Sequence, residues 1–73
     1  MPYVNIKVTQ EGGPNGNGPS DGEKAQLISG VTKLLSDVLG KNPATTVVVI
    51  DEVKLESWGI GGLPVTEYRK QAL

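Results

Sequence analysis

The chain has 73 residues, a formal net charge of -1, and neither cysteine nor histidine. A chain this short buries only about 60% of the surface that it exposes when unfolded, so small domains usually rely on disulfides, metal ions or partner chains. Without cysteine or histidine, we expect no disulfide and no metal site, which leaves oligomerisation. The basic residues are scattered, which disfavours a nucleic acid partner. No segment approaches the roughly 20 apolar residues of a membrane span.

The composition favours a single domain over residues 1–73. The start of the chain lacks the basic flank and apolar core of a signal peptide, so we expect a cytoplasmic protein. Nothing in the sequence indicates a cofactor. The expected partners are therefore other copies of the chain and a small molecule, rather than a nucleic acid or a membrane.

The opening stretch from Pro2 to Val8 alternates apolar and polar residues and predicts a β-strand. If Met1 is removed, as is common before a small residue, Pro2 becomes an N-terminal secondary amine. A free α-amino group titrates at about pH 8, and apolar burial lowers that pKa, which suits a proton shuttle at neutral pH. The alternative is that Pro2 simply begins a strand, where a missing N–H has no cost.

A loop with four glycines and two prolines follows, from Gln10 to Pro19. Its spacing does not match the dinucleotide-binding fingerprint, and Gly22-Glu23-Lys24 lacks the ending of a Walker phosphate-binding loop. The Asn-Gly and Gly-Pro pairs are typical of turns. We therefore interpret the segment as a turn or a lid rather than a phosphate site.

Ser20 and Glu23 form a capping-box pattern, which predicts the start of a helix. The apolar residues that follow recur at spacings of three and four, so we expect one amphipathic helix over about 21–39. Gly40 is suited to a left-handed cap at its end. Gly30 costs about 1 kcal/mol relative to alanine. It indicates either a tolerated weak point or the close approach of another backbone.

Residues 45–50 form a β-branched run without alternation, which is typical of a strand buried on both faces. A single helix covers only one face of a sheet, so the other face requires a partner chain. The order of strand, helix and strand predicts a right-handed β-α-β unit in which the two strands are parallel.

The segment from Trp58 to Gly62 predicts a hairpin or tight bend, because its glycines permit positive φ angles. Trp58 is interpreted either as a plug in a core or interface or as the wall of a pocket. The tail from Leu63 to Leu73 predicts a short strand or a helical turn, and it carries the only arginine of the chain, Arg69.

Together, these features resemble the 4-oxalocrotonate tautomerase family. The resemblance covers nearly the whole chain and depends on four stretches: the strand at Pro2, the long helix, the valine-rich strand ending Ile50-Asp51-Glu52, and Trp58-Gly59-Ile60-Gly61-Gly62. It implies an α/β fold with two parallel strands and a C-terminal hairpin. Such β-α-β subunits pair into four-stranded sheets, and three pairs commonly form a homohexamer.

The resemblance also implies an isomerase that interconverts the enol and keto forms of a small unsaturated oxo acid. Pro2 matches the family's general base and acid, and Trp58 matches the aromatic residue of the pocket, an apolar neighbour expected to lower the pKa of the amine. Related enzymes begin hydration, dehalogenation or decarboxylation from the same proline. A non-enzymatic oligomeric module on this scaffold is the further alternative.

Two arginines of the family's pattern are missing here. The first falls in the loop at 12–20, which has neither arginine nor lysine, and the second aligns with Val47 or Val48. Their loss removes bidentate contacts to substrate oxygens. We therefore expect dicarboxylic dienols to be poor substrates beside neutral or monocarboxylated enols, unless Arg69 or a lysine of a neighbouring subunit replaces the missing groups.

Overall fold

The computed structural model describes residues 1–71 and arranges them as a β-α-β unit followed by a small hairpin and a short helix. The strands and helices are β1 Tyr3–Thr9, α1 Asp21–Leu39, β2 Val47–Val53, β3 Gly59–Ile60, β4 Leu63–Pro64 and α2 Val65–Gln71. Single turns of 3-10 helix precede and follow β2, at Pro43–Thr45 and Leu55–Ser57. No helix within the described residues is long and apolar enough to cross a membrane.

β1 and β2 pair in parallel over their full lengths, from Tyr3 beside Val47 to Thr9 beside Val53. The predicted β-α-β unit is therefore confirmed. The β-branched run at 45–50 marks β2, but the strand begins two residues later, at Val47, and it ends at Val53, one residue beyond the end at Glu52 that the resemblance implies. Asn42 caps the turn at Pro43–Thr45 with its side-chain oxygen, which delays the strand, and pairing with β1 extends it to Val53.

Local signals set both ends of α1, as predicted. The Ser20 hydroxyl accepts a hydrogen bond from the Glu23 N–H, and the Glu23 carboxylate accepts one from the Ser20 N–H. Gly40 ends the helix at φ 67°, in the left-handed region that favours glycine. A Cβ atom at Gly30 would meet nothing within 4 Å, so this glycine is a tolerated weak point within the chain rather than a backbone contact.

The C-terminal hairpin is also confirmed. Gly61 and Gly62 occupy its turn with φ angles of 62° and 84°, the two positive values that a tight two-residue connection between antiparallel strands requires. The predicted tail contains both a short strand, β4, and a helix, α2; its last residues, 72–73, lie outside the described part of the chain.

The single chain has almost no core. Among the described residues, Val65 is the one buried apolar side chain, at 6% exposure. α1 packs on one face of the sheet, while Tyr3, Val47 and Val49 share the other face and are 61%, 42% and 37% exposed. The radius of gyration is 15.4 Å, against about 11 Å for a compact domain of this length. As the sequence predicts, the chain does not cover the second face of β2.

An ion pair joins the end of β1 to α2. The Arg69 guanidinium on α2 donates to both carboxylate oxygens of Glu11, just after β1, at 2.7 and 2.8 Å. The Thr9 hydroxyl donates to the same carboxylate. These hydrogen bonds, with that of Arg69 the largest cause, lower the pKa of Glu11 to about 2. Glu11 is therefore ionised at neutral pH, and its geometry is fixed from two sides.

The first prediction concerns the pH dependence of this ion pair. Because the pKa of Glu11 is lowered in the folded state, the pair stabilises the fold fully above the ordinary value of 4.5, and this contribution disappears as pH falls toward about 2. Arg69→Met should lower the free energy of unfolding at pH 7, and its difference from wild type should shrink below pH 4.5.

Urea denaturation at one fixed protein concentration measures this difference across the pH range. Lys70→Met is the matched control. It also removes a positive charge from α2, but the ion pair that it breaks, with Glu67, is exposed to solvent. We expect this control to have the smaller effect. An Arg69→Met difference that is the same at pH 7 and pH 2 would contradict the prediction.

Candidate functional site

Pro2 lies at the end of the sheet where both parallel strands begin. Its carbonyl accepts a hydrogen bond from the Val47 N–H at 3.0 Å, so strand pairing fixes the position of its backbone. The residue is half-buried, whereas Met1 is 90% exposed. A protease that trims Met1 would therefore meet an accessible terminus and leave the amine of Pro2 at a defined place.

Trp58 lies at the opposite end of the sheet, five residues beyond the end of β2. The backbone N–H of Trp58 donates to the Leu55 carbonyl, and the backbone carbonyl of Trp58 accepts from the Val65 N–H at 2.8 Å. β2 has seven residues, which at about 3.3 Å per residue separates its two ends by about 20 Å. One chain therefore does not bring Pro2 and Trp58 together. The expectation that Trp58 is an apolar neighbour of Pro2 does not hold within a single chain.

A cavity of about 400 Å³ opens near the C-terminal end of β1. This volume suits a small organic molecule. The residues that line it come from β1, the glycine-rich loop and the first two turns of α1, and they are Val8, Thr9, Glu11, Gly13, Pro19, Glu23 and Leu27. Two of these side chains are carboxylates and none is a cation, so the charged groups that face the cavity are negative.

The glycine-rich loop forms one wall of this cavity because its backbone folds tightly on itself. The Gly18 N–H donates to the Gly12 carbonyl at 3.1 Å, and Gly13 has a φ angle of 71°. A Cβ atom at Gly13 would collide with the Gly18 carbonyl, and one at Gly18 would lie 2.7 Å from the Glu52 carboxylate. Gly13 is therefore required by both conformation and space. Gly18 is favoured by its φ angle of 108°, because the Glu52 side chain could move away from an added Cβ atom.

The cations available to replace the missing arginines are mostly paired. Arg69 is held by Glu11, and Lys24 forms an ion pair with Glu52 at 2.7 Å. On the open face of the sheet, Lys7 bonds the Asp51 carboxylate at 2.8 Å, and its hydrogen bond, together with one from Asn5, lowers the pKa of Asp51.

Over residues 1–71, Lys41 and Lys54 are the lysines that form no ion pair. Neither of them lines the cavity. Within residues 1–71 of one chain, therefore, no arginine or lysine lines the cavity.

Sequence reasoning missed Glu11 as a functional candidate and assigned Glu23 to helix capping alone. The signal that points to both is topological. In open parallel sheets, ligands bind beyond the carboxyl ends of the strands. Glu11 comes directly after β1, and Glu23 lies in the first turn of the helix that returns over the sheet.

Comparisons with known proteins agree with the fold. The family model described as "Tautomerase enzyme" matches residues 2–68. A probable tautomerase of Dickeya dadantii is 58% identical over 72 residues, which covers 99% of this chain and 98% of the relative.

Solved structures give the same answer. The crystal structure of DmpI from Helicobacter pylori is 45% identical with a TM-score of 0.80, and the match covers 94% of this chain and 97% of that one. TomN, a 4-oxalocrotonate tautomerase homologue in the tomaymycin biosynthetic pathway, is 26% identical with a TM-score of 0.76 over 99% and 100% of the two chains. The resemblance identified in the sequence is confirmed, and the chain belongs to the tautomerase family.

Proposed function

We propose that the protein is an isomerase that interconverts the enol and keto forms of a small unsaturated oxo acid, with Pro2 as general base and acid after removal of Met1. The observation that carries this proposal is the position of Pro2. Pro2 is the first residue of the family match and directly precedes β1. Its carbonyl accepts a hydrogen bond from the Val47 N–H, and the residue before it, Met1, is exposed.

The proposed chemistry needs one proton carrier. The neutral Pro2 amine removes the proton of the enol hydroxyl as the C=O bond forms and the C=C bond breaks. The ammonium then returns a proton to the carbon, which restores the amine. If Met1 is retained, the proline nitrogen is an amide without a basic lone pair, and the cycle cannot begin.

We infer that a second chain completes the site. In a two-fold pair of sheet edges the strands run antiparallel, so the start of the strands in one chain lies beside the end of the strands in the other. Pro2 then adjoins the cavity and Trp58 of the partner, which removes the separation of about 20 Å within one chain. This arrangement would produce a four-stranded sheet with two equivalent sites.

Further assembly would cover the open face of the sheet. Tyr3, Val47 and Val49 expose apolar surface there, and a chain with one buried apolar side chain among its described residues has little other source of stability. We propose that three pairs pack these faces together into a homohexamer.

The second prediction follows from this assembly. Val49→Lys places a charge on the face that the proposed hexamer buries, so it should reduce the mass in solution and destabilise the fold. Light scattering at micromolar concentration should give six subunits for wild type and fewer for the variant. Ser29→Lys, on the exposed surface of α1, is the control and should leave the mass unchanged. A well-folded wild-type monomer would remove the basis of the proposal.

The third prediction concerns the amine. Protein beginning at Pro2 should ketonise small enols with a rate that rises with pH as the neutral amine appears. An N-terminal extension should lower kcat/KM by about 100-fold or more, the usual size of a lost general base. Pro2→Ala keeps a primary amine but loses the rigid ring, and should retain part of the activity. Intact mass spectrometry, paired with the assay, identifies the terminus; equal turnover by extended and trimmed protein would exclude the mechanism.

The fourth prediction tests whether the site is shared between chains. Pro2→Ala and Trp58→Ala proteins should each be impaired alone. When the two are unfolded together and refolded as a mixture, about one quarter of the sites should combine an intact Pro2 with an intact Trp58 from another chain. Activity should therefore rise above that of either parent. If the mixture only averages its parents, both residues act within one chain.

A further inference from the structure

The cavity presents carboxylates rather than cations to any molecule that enters it. Glu11 and Glu23 both line it, and no lysine or arginine does. Each carboxylate is held in place: Glu11 by Arg69 and Thr9, and Glu23 by the Ser20 N–H in the capping box. Neither can turn away from a ligand without breaking contacts that stabilise the fold.

The chain's single arginine is close to the cavity but is not one of its walls. Arg69 uses both nitrogens of its fork on Glu11, and Glu11 is the member of the pair that lines the cavity. A ligand carboxylate would therefore meet the oxygen end of the ion pair. The geometry that suits bidentate recognition of a carboxylate is already occupied by a carboxylate of the protein itself.

We propose that Glu11 and Glu23 are specificity-determining residues, which make this site select substrates whose cavity-facing end is uncharged or cationic and disfavour substrates with a carboxylate there. The inference rests on the proposed function, because it treats the cavity as part of the substrate site. The cavity defines the site, and the two carboxylates set its preference.

Nearby positive charge weakens this preference without reversing it. Arg69 offsets the charge of Glu11, and the start of α1 contributes the partial positive charge of about one half that helix N-termini carry. Asp21, also in the first turn of α1, adds a further negative charge. Because the cavity is open to solvent on one side, we expect a discrimination of about tenfold rather than several orders of magnitude.

The test uses two ligands that differ only in this charge, phenylenolpyruvate and its methyl ester. The readout is the ratio of kcat/KM for the acid to that for the ester, measured with protein trimmed to Pro2. Glu11→Gln removes the negative wall and frees Arg69, so the ratio should rise by about tenfold. Arg69→Gln leaves Glu11 without compensation, so the ratio should fall.

The opposite directions separate specificity from a structural role. If the Glu11–Arg69 pair only held the fold together, both variants would lose the same contact and would shift the ratio alike or not at all. Glu23→Gln provides a second route, because glutamine at this position still completes a capping box while its charge is gone. This variant should raise the ratio without touching Arg69. Glu67→Gln, an exposed charge change on α2, is the control and should leave the ratio unchanged.

Binding distinguishes failure of this inference from failure of the proposed function. Calorimetric dissociation constants for phenylpyruvate and its methyl ester need no turnover. If trimmed wild type ketonises neither enol but the dissociation constants shift as described, the proposed function is wrong and the specificity stands. If Glu11→Gln and Glu23→Gln leave both ratios unchanged, or if the Glu11 and Arg69 variants shift them in the same direction, the inference is overturned.

Discussion

Parallel pairing of β1 with β2 decides where the functional groups of this chain lie. Parallel strands both begin at one end of the sheet and both finish at the other end. Pro2 therefore lies at the end where the strands begin, and the cavity and Trp58 lie at the end where they finish. The same pairing needs a crossover, α1, which covers one face and leaves the second open. A separated site and an uncovered face are thus two results of one topology. In the assembly that we propose, edge pairing with a second chain completes the site, and packing of three pairs covers the open face.

The connection between β1 and α1 serves structure and site together. Its glycines allow the backbone to turn back on itself at Gly13 and Gly18, and the resulting wall closes one side of the cavity. At the far end of the loop, Glu23 both caps the helix and faces the cavity. A single side chain therefore links the position of α1 to the electrostatics of the site, so substitutions that alter one will alter the other unless they keep the hydrogen bond.

Local signals made most of the fold predictable from the sequence. The capping box at Ser20, the periodicity that follows it and the glycine at position 40 placed α1 at its observed limits, and the glycine pair at 61–62 marked the hairpin. The start of β2 was missed because it depends on the cap that the Asn42 side chain makes on the preceding 3-10 turn. The cavity was missed because it forms only when the glycine-rich loop folds between the end of β1 and the start of α1, which sequence spacing does not reveal. Spacing also does not reveal the ion pair between Glu11 and Arg69, which are 58 positions apart.

The chain lacks the two arginines of the family's pattern, and the structure shows that its own arginine is not free to replace them. Arginine binds carboxylates through a planar fork, and lysine offers a single point charge that does not reproduce that geometry. This chain has one arginine, and both of its fork nitrogens are bound to Glu11. A substrate gripped by its carboxylate would have to displace a bidentate pair that also holds α2 to the end of β1. Under the proposed function, orientation of the substrate must then come from the shape of the cavity, from Trp58 and from the fixed amine of Pro2, rather than from a cationic clamp.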